Sequence, residues 1–270
     1  MQARATKRDP FPSQGLDNYF FATPALRLRL DVVQEHVCRH ETPVLILGEP
    51  GSGKSALLNQ LVCRADNNWR IVRIPAVPSF SANDVVTFLN AELRLPTRVS
   101  TGDMLREFDG WLDRIATRGQ IAVVVVDNAH NLCDEGLARL VTLKHELKAT
   151  NHCVLMTGNL ELRTRLSGAP GSTRSPMPTY AVSIPSLDQR EVASYIDMRL
   201  YHAGVEGRGP FSRAAIDGIS RDSRGHPGQI NAMANDLLNC ERKRGFPALR
   251  GILPRLWGNA RQNLSAFRDG

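Results

Sequence analysis

The sequence of 270 residues contains no apolar run that approaches the roughly 20 residues needed to span a bilayer. Its start, from Met1 to Arg8, is polar and basic and is not followed by the apolar segment of a secretory signal. Only five cysteines are present, and no two of them form a Cys-x-x-Cys pair. We therefore expect a cytoplasmic protein with reduced thiols, and neither a disulfide framework nor a membrane-spanning protein.

Positive charge is concentrated at one end of the chain. Residues 241–270 contain seven Lys or Arg and two Asp or Glu, so they hold five of the seven net positive charges. A basic tail behind a nearly neutral body indicates an anionic partner, such as DNA, an acidic protein surface or an anionic lipid. A solubilising extension explains the same composition equally well.

A single motif carries the clearest chemistry. Gly-x-x-x-x-Gly-Lys-Ser at residues 48–55 follows the apolar run 43–47 and precedes a helical pattern at 56–62. Strand, glycine-rich loop and helix in this order predict a phosphate-binding loop that takes a nucleoside triphosphate. Lys54 is expected to reach the β- and γ-phosphates, and the Ser55 hydroxyl to bind Mg²⁺. The residues predicted to bind the nucleotide are Gly48, Glu49, Pro50, Gly51, Ser52, Gly53, Lys54, Ser55 and Ala56.

A carboxylate after a buried strand completes the predicted site. The β-branched run 121–126 is typical of a strand buried on both faces of a parallel sheet, and Asp127 follows it directly. A carboxylate at that position is the Walker B arrangement, which holds Mg²⁺ directly or through water. The next residue is Asn128, whose amide can orient water but cannot accept a proton at neutral pH. Asp134 and Glu135 are close enough in sequence to substitute. No Asn-Lys-x-Asp guanine signature occurs, which favours ATP over GTP.

Apolar β runs alternate with helical patterns up to residue 184, and the pattern beyond is purely helical. This order predicts an α/β fold, with a doubly wound parallel sheet of the P-loop NTPase kind followed by a small all-helical lid. Ser186 has the spacing of a capping box and is expected to begin the first lid helix. The predicted organisation is an N-terminal extension (1–22), a nucleotide-binding domain (23–184), a helical lid (185–240) and a basic tail (241–270).

With these motifs in hand, the chain resembles the AAA+ ATPases, and within them the ExeA/GspA and DamX group. The resemblance covers about residues 9–240. It rests on the two nucleotide motifs together with Asp9-Pro10-Phe11, Phe20-Phe21, 158–162, and the lid segments 195–204 and 225–231. Transposition regulators of the TnsC and MuB type share the architecture and are the nearest alternative. The resemblance implies an ATP-binding module that oligomerises with the nucleotide between subunits.

The resemblance also implies residue roles and exposes three departures. Thr157 or Asn159 would be the sensor on the fourth strand, contacting the γ-phosphate or the water. Asn128 stands where a glutamate is usual, and Gly228 stands where the lid arginine is expected. Met177-Pro178-Thr179 replaces the usual Gln-Arg, which leaves Arg174 as the candidate arginine finger. Each departure removes a group that accelerates hydrolysis, so the sequence predicts a nucleotide-gated switch with slow or partner-stimulated turnover.

Three functions follow from this pattern. The first is a regulatory or assembly ATPase of a bacterial envelope or division machine. The second is a DNA-binding ATPase of the transposition type that assembles on DNA with ATP, which the basic tail favours. The third is an ATP-stabilised scaffold that does not hydrolyse ATP, which Asn128 and Gly228 favour.

His130 lies three residues after Asp127 in the sequence. It either couples the nucleotide state to neighbouring elements or is a structural histidine.

Overall fold

The structure is a computed structural model that describes residues 9–12, 20–39, 43–65, 67–96, 98, 100–167, 180–205 and 209–243. Statements about what is present or absent refer to these residues. The candidate finger Arg174 and residues 244–270, which make up most of the basic tail, lie outside them. The described residues divide into two compact units, one from Ala22 to Pro185 and one that combines parts of 1–21 and 186–243.

The first unit is built on a parallel sheet. Its strands are β1 (Val44–Leu47), β2 (Trp69–Arg73), β3 (Ile121–Val126), β4 (His152–Gly158) and β5 (Tyr180–Ser183), in the order β2-β3-β4-β1-β5. β4 therefore lies between the strand before the phosphate loop and the strand before Asp127. Every side chain of β1 and β4 is buried, as expected for central strands covered on both faces.

Helices cover both faces of this sheet, which confirms the fold class predicted from the sequence. They are α1 (Pro24–Arg39), α2 (Lys54–Cys63), α3 (Ala82–Glu92), α4 (Thr101–Ala116), α5 (Asp134–Glu146) and α6 (Leu160–Ser167). α1 and α2 contact each other and both β1 and β4. On the opposite face, alternate residues of β1, β3 and β4 form one apolar core with α3, α4 and α5 and with Leu162 of α6. The helix α6 was not predicted from the sequence.

The second unit is helical in its described residues. It contains α7 (Gln189–His202), α8 (Arg213–Asp222) and α9 (Pro227–Lys243), so α9 runs three residues into the segment predicted as the tail. Phe11, from the segment predicted as an N-terminal extension, is completely buried in the core of this unit. Its ring packs edge-on against Phe211 at 6.1 Å, and Asn235 Nδ2 donates a hydrogen bond to its carbonyl at 3.4 Å.

The start of α7 corrects a prediction. Asp188, and not Ser186, caps the helix: its Oδ1 accepts hydrogen bonds from the N–H groups of Arg190 and Glu191, both at 2.8 Å. Glu191 Oε2 in turn accepts from the Asp188 N–H at 3.0 Å, which completes a capping box. The Leu187 N–H, just before the cap, donates to the Gly225 carbonyl at 3.0 Å.

Within the described ranges, no helix combines the length and the apolar character required to cross a membrane.

Candidate nucleotide-binding site

The loop between β1 and α2 has the backbone geometry of an anion cradle. Gly51 and Gly53 have positive φ angles of 77° and 98°, a region that favours glycine. Leu57 is the first residue of α2 whose N–H finds a helical acceptor, the Gly53 carbonyl at 2.9 Å. The N–H groups of Lys54, Ser55 and Ala56 therefore have no acceptor within the helix. Free donors at a helix N-terminus attract phosphate oxygens.

Lys54 lies across this cradle. Its Nζ donates to the carbonyls of Gly48 and Glu49, both at 2.9 Å, and the side chain is buried. Burial lowers the pKa of Lys54, while the negative charges of Asp127 and Glu49 raise it. The ammonium group is thus held inside the loop by two neutral carbonyls, which an incoming phosphate oxygen can replace.

Ser52 gives a separate indication that the cradle suits a polar ligand. Its Oγ is buried and has no hydrogen-bond partner in the described part of the chain. Buried hydroxyls in native proteins are normally paired, so an orphaned one points to a missing partner. A Cβ added at Gly48 would lie 2.5 Å from this oxygen, which explains why glycine is required there.

Asp127 and Thr157 meet at the carboxyl ends of β3 and β4. Because Val126 pairs with Met156, the next residue of each strand is adjacent to its counterpart. The Thr157 hydroxyl donates to Asp127 Oδ1 and accepts from the Asn128 N–H at 2.9 Å. Asp127 Oδ1 also accepts from the Asn128 N–H at 3.1 Å. Among the described residues, Asp127 Oδ2 makes no hydrogen bond, so it is the oxygen open to a cation.

Asn128 has an unusual backbone conformation. Its φ and ψ angles of 55° and 42° place it in the left-handed helical region, and its side chain is exposed. Asparagine adopts this region more readily than other residues that carry a Cβ. The local backbone therefore favours asparagine at this position, where the related ATPases usually have glutamate.

The structure separates the two candidate sensors. Thr157 is completely buried and bonded to Asp127, whereas Asn159 Oδ1 accepts from the Leu162 N–H at 3.2 Å at the start of α6. Between them, the Gly158 carbonyl accepts from the Gly48 N–H at 3.1 Å, so β4 also contacts the phosphate loop. Thr157 is therefore hydrogen-bonded to the Asp127 carboxylate, and Asn159 to the first turn of α6.

Three other predicted residues are engaged by another side chain, belong to the second unit or lie outside the described ranges. Asp134, a candidate replacement for the missing glutamate, forms a salt bridge with Arg165 at 2.6 Å and begins α5. Gly228 is an exposed residue in the first turn of α9, in the second unit. Arg174 lies in residues 168–179, which the structure does not describe.

Two further side chains accompany the site: His130, for which the sequence left two roles open, and Arg165, to which it assigned none. His130 is half-buried, and its Nδ1 has no hydrogen-bond partner among the described residues. Burial lowers the pKa of His130; Lys54 and Arg165 lower it further, against the opposing charges of Glu161 and Asp127. Arg165, on α6, donates to carbonyls in the segment that follows Asp127. An arginine in a helix carries no local sequence signal for such contacts.

Mg²⁺ fits the groups present. Ser55 offers a hydroxyl and Asp127 offers a free carboxylate oxygen, and oxygen ligands are those that Mg²⁺ prefers. No cluster of three or more His, Cys, Asp or Glu suited to a metal occurs among the described residues. Mg²⁺ normally takes one or two protein ligands together with substrate phosphates and water, so a dedicated cluster is not required.

Comparison with known proteins agrees with this geometry. Residues 37–166, a little under half of the chain, match the family described as AAA domain. The matched residues include the phosphate loop, Asp127, Thr157 and Asn159. Residues 37–166 therefore resemble an AAA domain. No curated protein matches the sequence.

Solved structures share the fold. Cdc6p from Pyrobaculum aerophilum is 18% identical with a TM-score of 0.61, over 87% of this chain and 66% of that chain. The ORC2 protein of Aeropyrum pernix is 14% identical with a TM-score of 0.57, over 85% and 66%. Drosophila ORC bound to DNA is 17% identical with a TM-score of 0.62, over 92% and 69%. The chain spans slightly less than two thirds of the Cdc6p and ORC2 chains. At such identities the likeness establishes the α/β P-loop NTPase fold alone.

Proposed function

We propose that this AAA-domain chain is a Mg-ATP-dependent switch that oligomerises with ATP and hydrolyses it slowly or only when a partner stimulates it. One observation carries the proposal. The end of β4 joins the two halves of the site: the Gly158 carbonyl accepts from the Gly48 N–H of the phosphate loop, and the Thr157 hydroxyl donates to Asp127. The charge of Asp127 in turn acts on the Lys54 ammonium. The solved ORC2 relative is described as ADPNP and ADP complexes, which supports a nucleotide as the ligand.

Each residue of the site has a distinct task in this proposal. The N–H groups of the loop and of the first turn of α2 bind the phosphates, and Lys54 exchanges its carbonyl partners for the β- and γ-phosphate oxygens. Ser55 and Asp127 Oδ2 bind Mg²⁺, which neutralises charge that develops on the phosphates. Thr157 fixes the Asp127 carboxylate so that Oδ2 faces the ligand.

Slow turnover follows from what surrounds the attacking water. Asn128 can hydrogen-bond a water molecule but cannot accept its proton. Asp134 is engaged by Arg165, so it is not free to act as the base. Gly228 supplies no cation from the lid. A missing arginine contact alone can cost about 10³–10⁵ in rate, and a subunit or partner that supplies one would restore it.

The proposal is tested by measuring ATP turnover and particle mass on the same sample. We expect ATP with Mg²⁺ to increase the mass, and turnover to be slow. Lys54→Ala is the blank, because it removes the cation of the phosphate loop and leaves the rest of the fold. If ATP neither binds nor changes the mass of the wild type, the proposal is wrong. Assembly without turnover under any condition would identify a scaffold that does not hydrolyse ATP.

A second candidate is a DNA-dependent ATPase that assembles on DNA, of the TnsC and MuB type. It is favoured by the fold shared with ORC, whose Drosophila structure contains DNA, and by the basic residues of 241–270. Duplex DNA should then stimulate both assembly and turnover, with an affinity that falls steeply as salt is raised.

The resemblance to the ExeA/GspA and DamX group favours a different role, in which the ATPase acts on an envelope or division machine of a bacterium. ATP-dependent assembly that does not respond to DNA at any salt concentration would favour this role. Turnover would then depend on a protein partner. The same mass and turnover measurements, repeated with duplex DNA, separate the two candidates.

A further inference from the structure

Arg165 makes an extensive set of contacts next to the candidate site. From α6, its Nη1 donates to the His130 carbonyl and its Nη2 to the Leu132 carbonyl, both at 2.8 Å. Its Nε and Nη2 also donate to Asp134 Oδ1, at 3.0 and 2.6 Å. All three acceptors lie in the segment that leads from Asp127 to α5, which we call the post-β3 segment (residues 128–134).

The post-β3 segment has little regular structure of its own. It begins with Asn128 in the left-handed region, continues as a single 3₁₀ turn over Ala129–Asn131, and becomes extended at Leu132. A turn of this kind is a weak element because its hydrogen bonds have poor geometry. The guanidinium plane, with its fixed fork of donors, holds two carbonyls and one carboxylate of this segment in a single arrangement.

The helix that carries Arg165 is itself fixed to the end of β4. Asn159 caps α6 by accepting from the Leu162 N–H, and Leu162 is completely buried. A Cβ added at Gly158 would lie 2.5 Å from Leu162 Cδ2, so the helix packs directly on the strand backbone. Arg165 therefore connects a rigid support, formed by β4 and α6, to the segment that carries Asn128 and follows Asp127.

The remaining side chains around Arg165 are consistent with a supporting role. Arg165 is mostly buried, with 24% of its side chain exposed, whereas its partner Asp134 is 78% exposed. An exposed ion pair contributes little by itself, so the two carbonyl contacts distinguish this arginine from a surface charge. Among the described residues, no hydrogen bond or salt bridge joins Arg165 to the cradle residues Gly48 to Ala56.

We propose that Arg165 is a positioning residue that holds the post-β3 segment in the conformation which presents Asp127 and Asn128 to Mg-ATP. The inference rests on the proposed function, because it assigns a residue to the same site. Removal of the guanidinium leaves the phosphate loop intact but allows the Asp127 carboxylate and its neighbour to reorient. The loss therefore falls on the part of nucleotide affinity that depends on Mg²⁺.

The experiment compares fluorescent-nucleotide binding with Mg²⁺ and with EDTA for the wild type, Arg165→Ala and Arg165→Lys. Residues that orient a metal ligand typically affect metal affinity about 10–100-fold. We expect Arg165→Ala to weaken Mg-ATP binding by about 10-fold or more and binding in EDTA by less than about twofold. Arg165→Lys keeps the charge but not the fork, so it should recover only part of the loss.

Arg163→Ala is the matched control, since Arg163 is an exposed arginine on the same helix. It should bind like the wild type in both conditions. Circular dichroism identifies a variant that fails to fold, and Arg165→Lys then carries the comparison. Equal weakening with Mg²⁺ and with EDTA, or no weakening of Mg-ATP binding, would overturn the positioning role. A wild type that binds no Mg-ATP would overturn the proposed function and this inference together.

Discussion

The hydroxyl of Thr157 donates to the carboxylate of Asp127, and the same oxygen accepts the backbone N–H of Asn128. One side-chain atom thus joins the ends of β3 and β4, which the register of the sheet brings side by side. Because the threonine is completely buried, water does not compete for these bonds. The carboxylate is held by Oδ1, and Oδ2 remains available to a ligand.

Replacement of Thr157 by Val should reveal this role, because valine has nearly the same shape but no hydroxyl. We expect Mg-ATP affinity to fall by about 10-fold, since a residue that orients a metal ligand is lost. The free energy of unfolding should fall by about 1–3 kcal/mol, because a buried hydrogen bond is broken. Nucleotide titrations with and without Mg²⁺ measure the first effect. Thr157→Ser keeps the hydroxyl and should behave like the wild type; if it matches the valine variant instead, the hydroxyl is not the cause.

Replacement of Asn128 by Glu should accelerate ATP hydrolysis, because a carboxylate at this position can accept a proton from water. General-base catalysis contributes about 10²–10⁴ in rate, which sets the expected increase in kcat. The left-handed backbone at Asn128 disfavours glutamate by about 1–2 kcal/mol, so the variant should also unfold more easily. Asn128→Gln imposes the same backbone strain without a base. Equal turnover in the two variants would exclude a missing base as the reason for slow hydrolysis.

His130 should make stability depend on pH near neutrality. Burial lowers its pKa below the ordinary value of 6.5 in the folded protein, with Lys54 and Arg165 acting in the same direction. Between the folded and the ordinary pKa, the unfolded chain binds more protons, so stability rises with pH. The contribution is fully present above pH 6.5 and is lost as the pH falls below it.

Urea denaturation of the wild type and of His130→Gln, at several pH values on both sides of 6.5, checks this prediction. The wild type should lose more free energy of unfolding than the variant as the solution is acidified. Parallel pH profiles would mean that His130 does not titrate differently in the two states.

Phe11→Ala should destabilise the helical unit, because the ring is completely buried among residues of α7, α8 and α9. Truncation of a buried phenylalanine to alanine typically costs about 3–5 kcal/mol. Amide exchange in α9 should accelerate, and Phe11→Leu should give an intermediate rate because it leaves a smaller cavity. Unchanged exchange in α9 would show that residues 9–12 do not support this core.

Much of the site was predictable because its signals are local. The spacing of the phosphate loop is set by the backbone turn itself, and the valine run of β3 identifies a strand buried on both faces. Asp127 follows from its position at the end of that strand. These features do not depend on which other segments pack nearby.

The remaining features depend on tertiary contacts that the sequence does not encode locally. Ser186 and Asp188 both have capping-box spacing, and the structure shows the capping bonds at Asp188. Thr157 and Asn159 were equal candidates until the register of β3 and β4 placed the threonine beside Asp127. Two of the acceptors of Arg165 are backbone carbonyls. Because every residue has a carbonyl, no sequence pattern predicts these contacts.

The burial of Phe11 bears on the order in which the protein folds during synthesis on the ribosome. Residues 9–12 precede the sheet in the chain, but the helices that surround Phe11 begin only at Gln189. At about 5–20 residues per second, the phenylalanine waits on the order of ten seconds or longer for its partners. Every described strand of the sheet is complete by Ser183, so the α/β unit can finish folding first. We expect the helical core to form later, once both parts of the chain that build it have been synthesised.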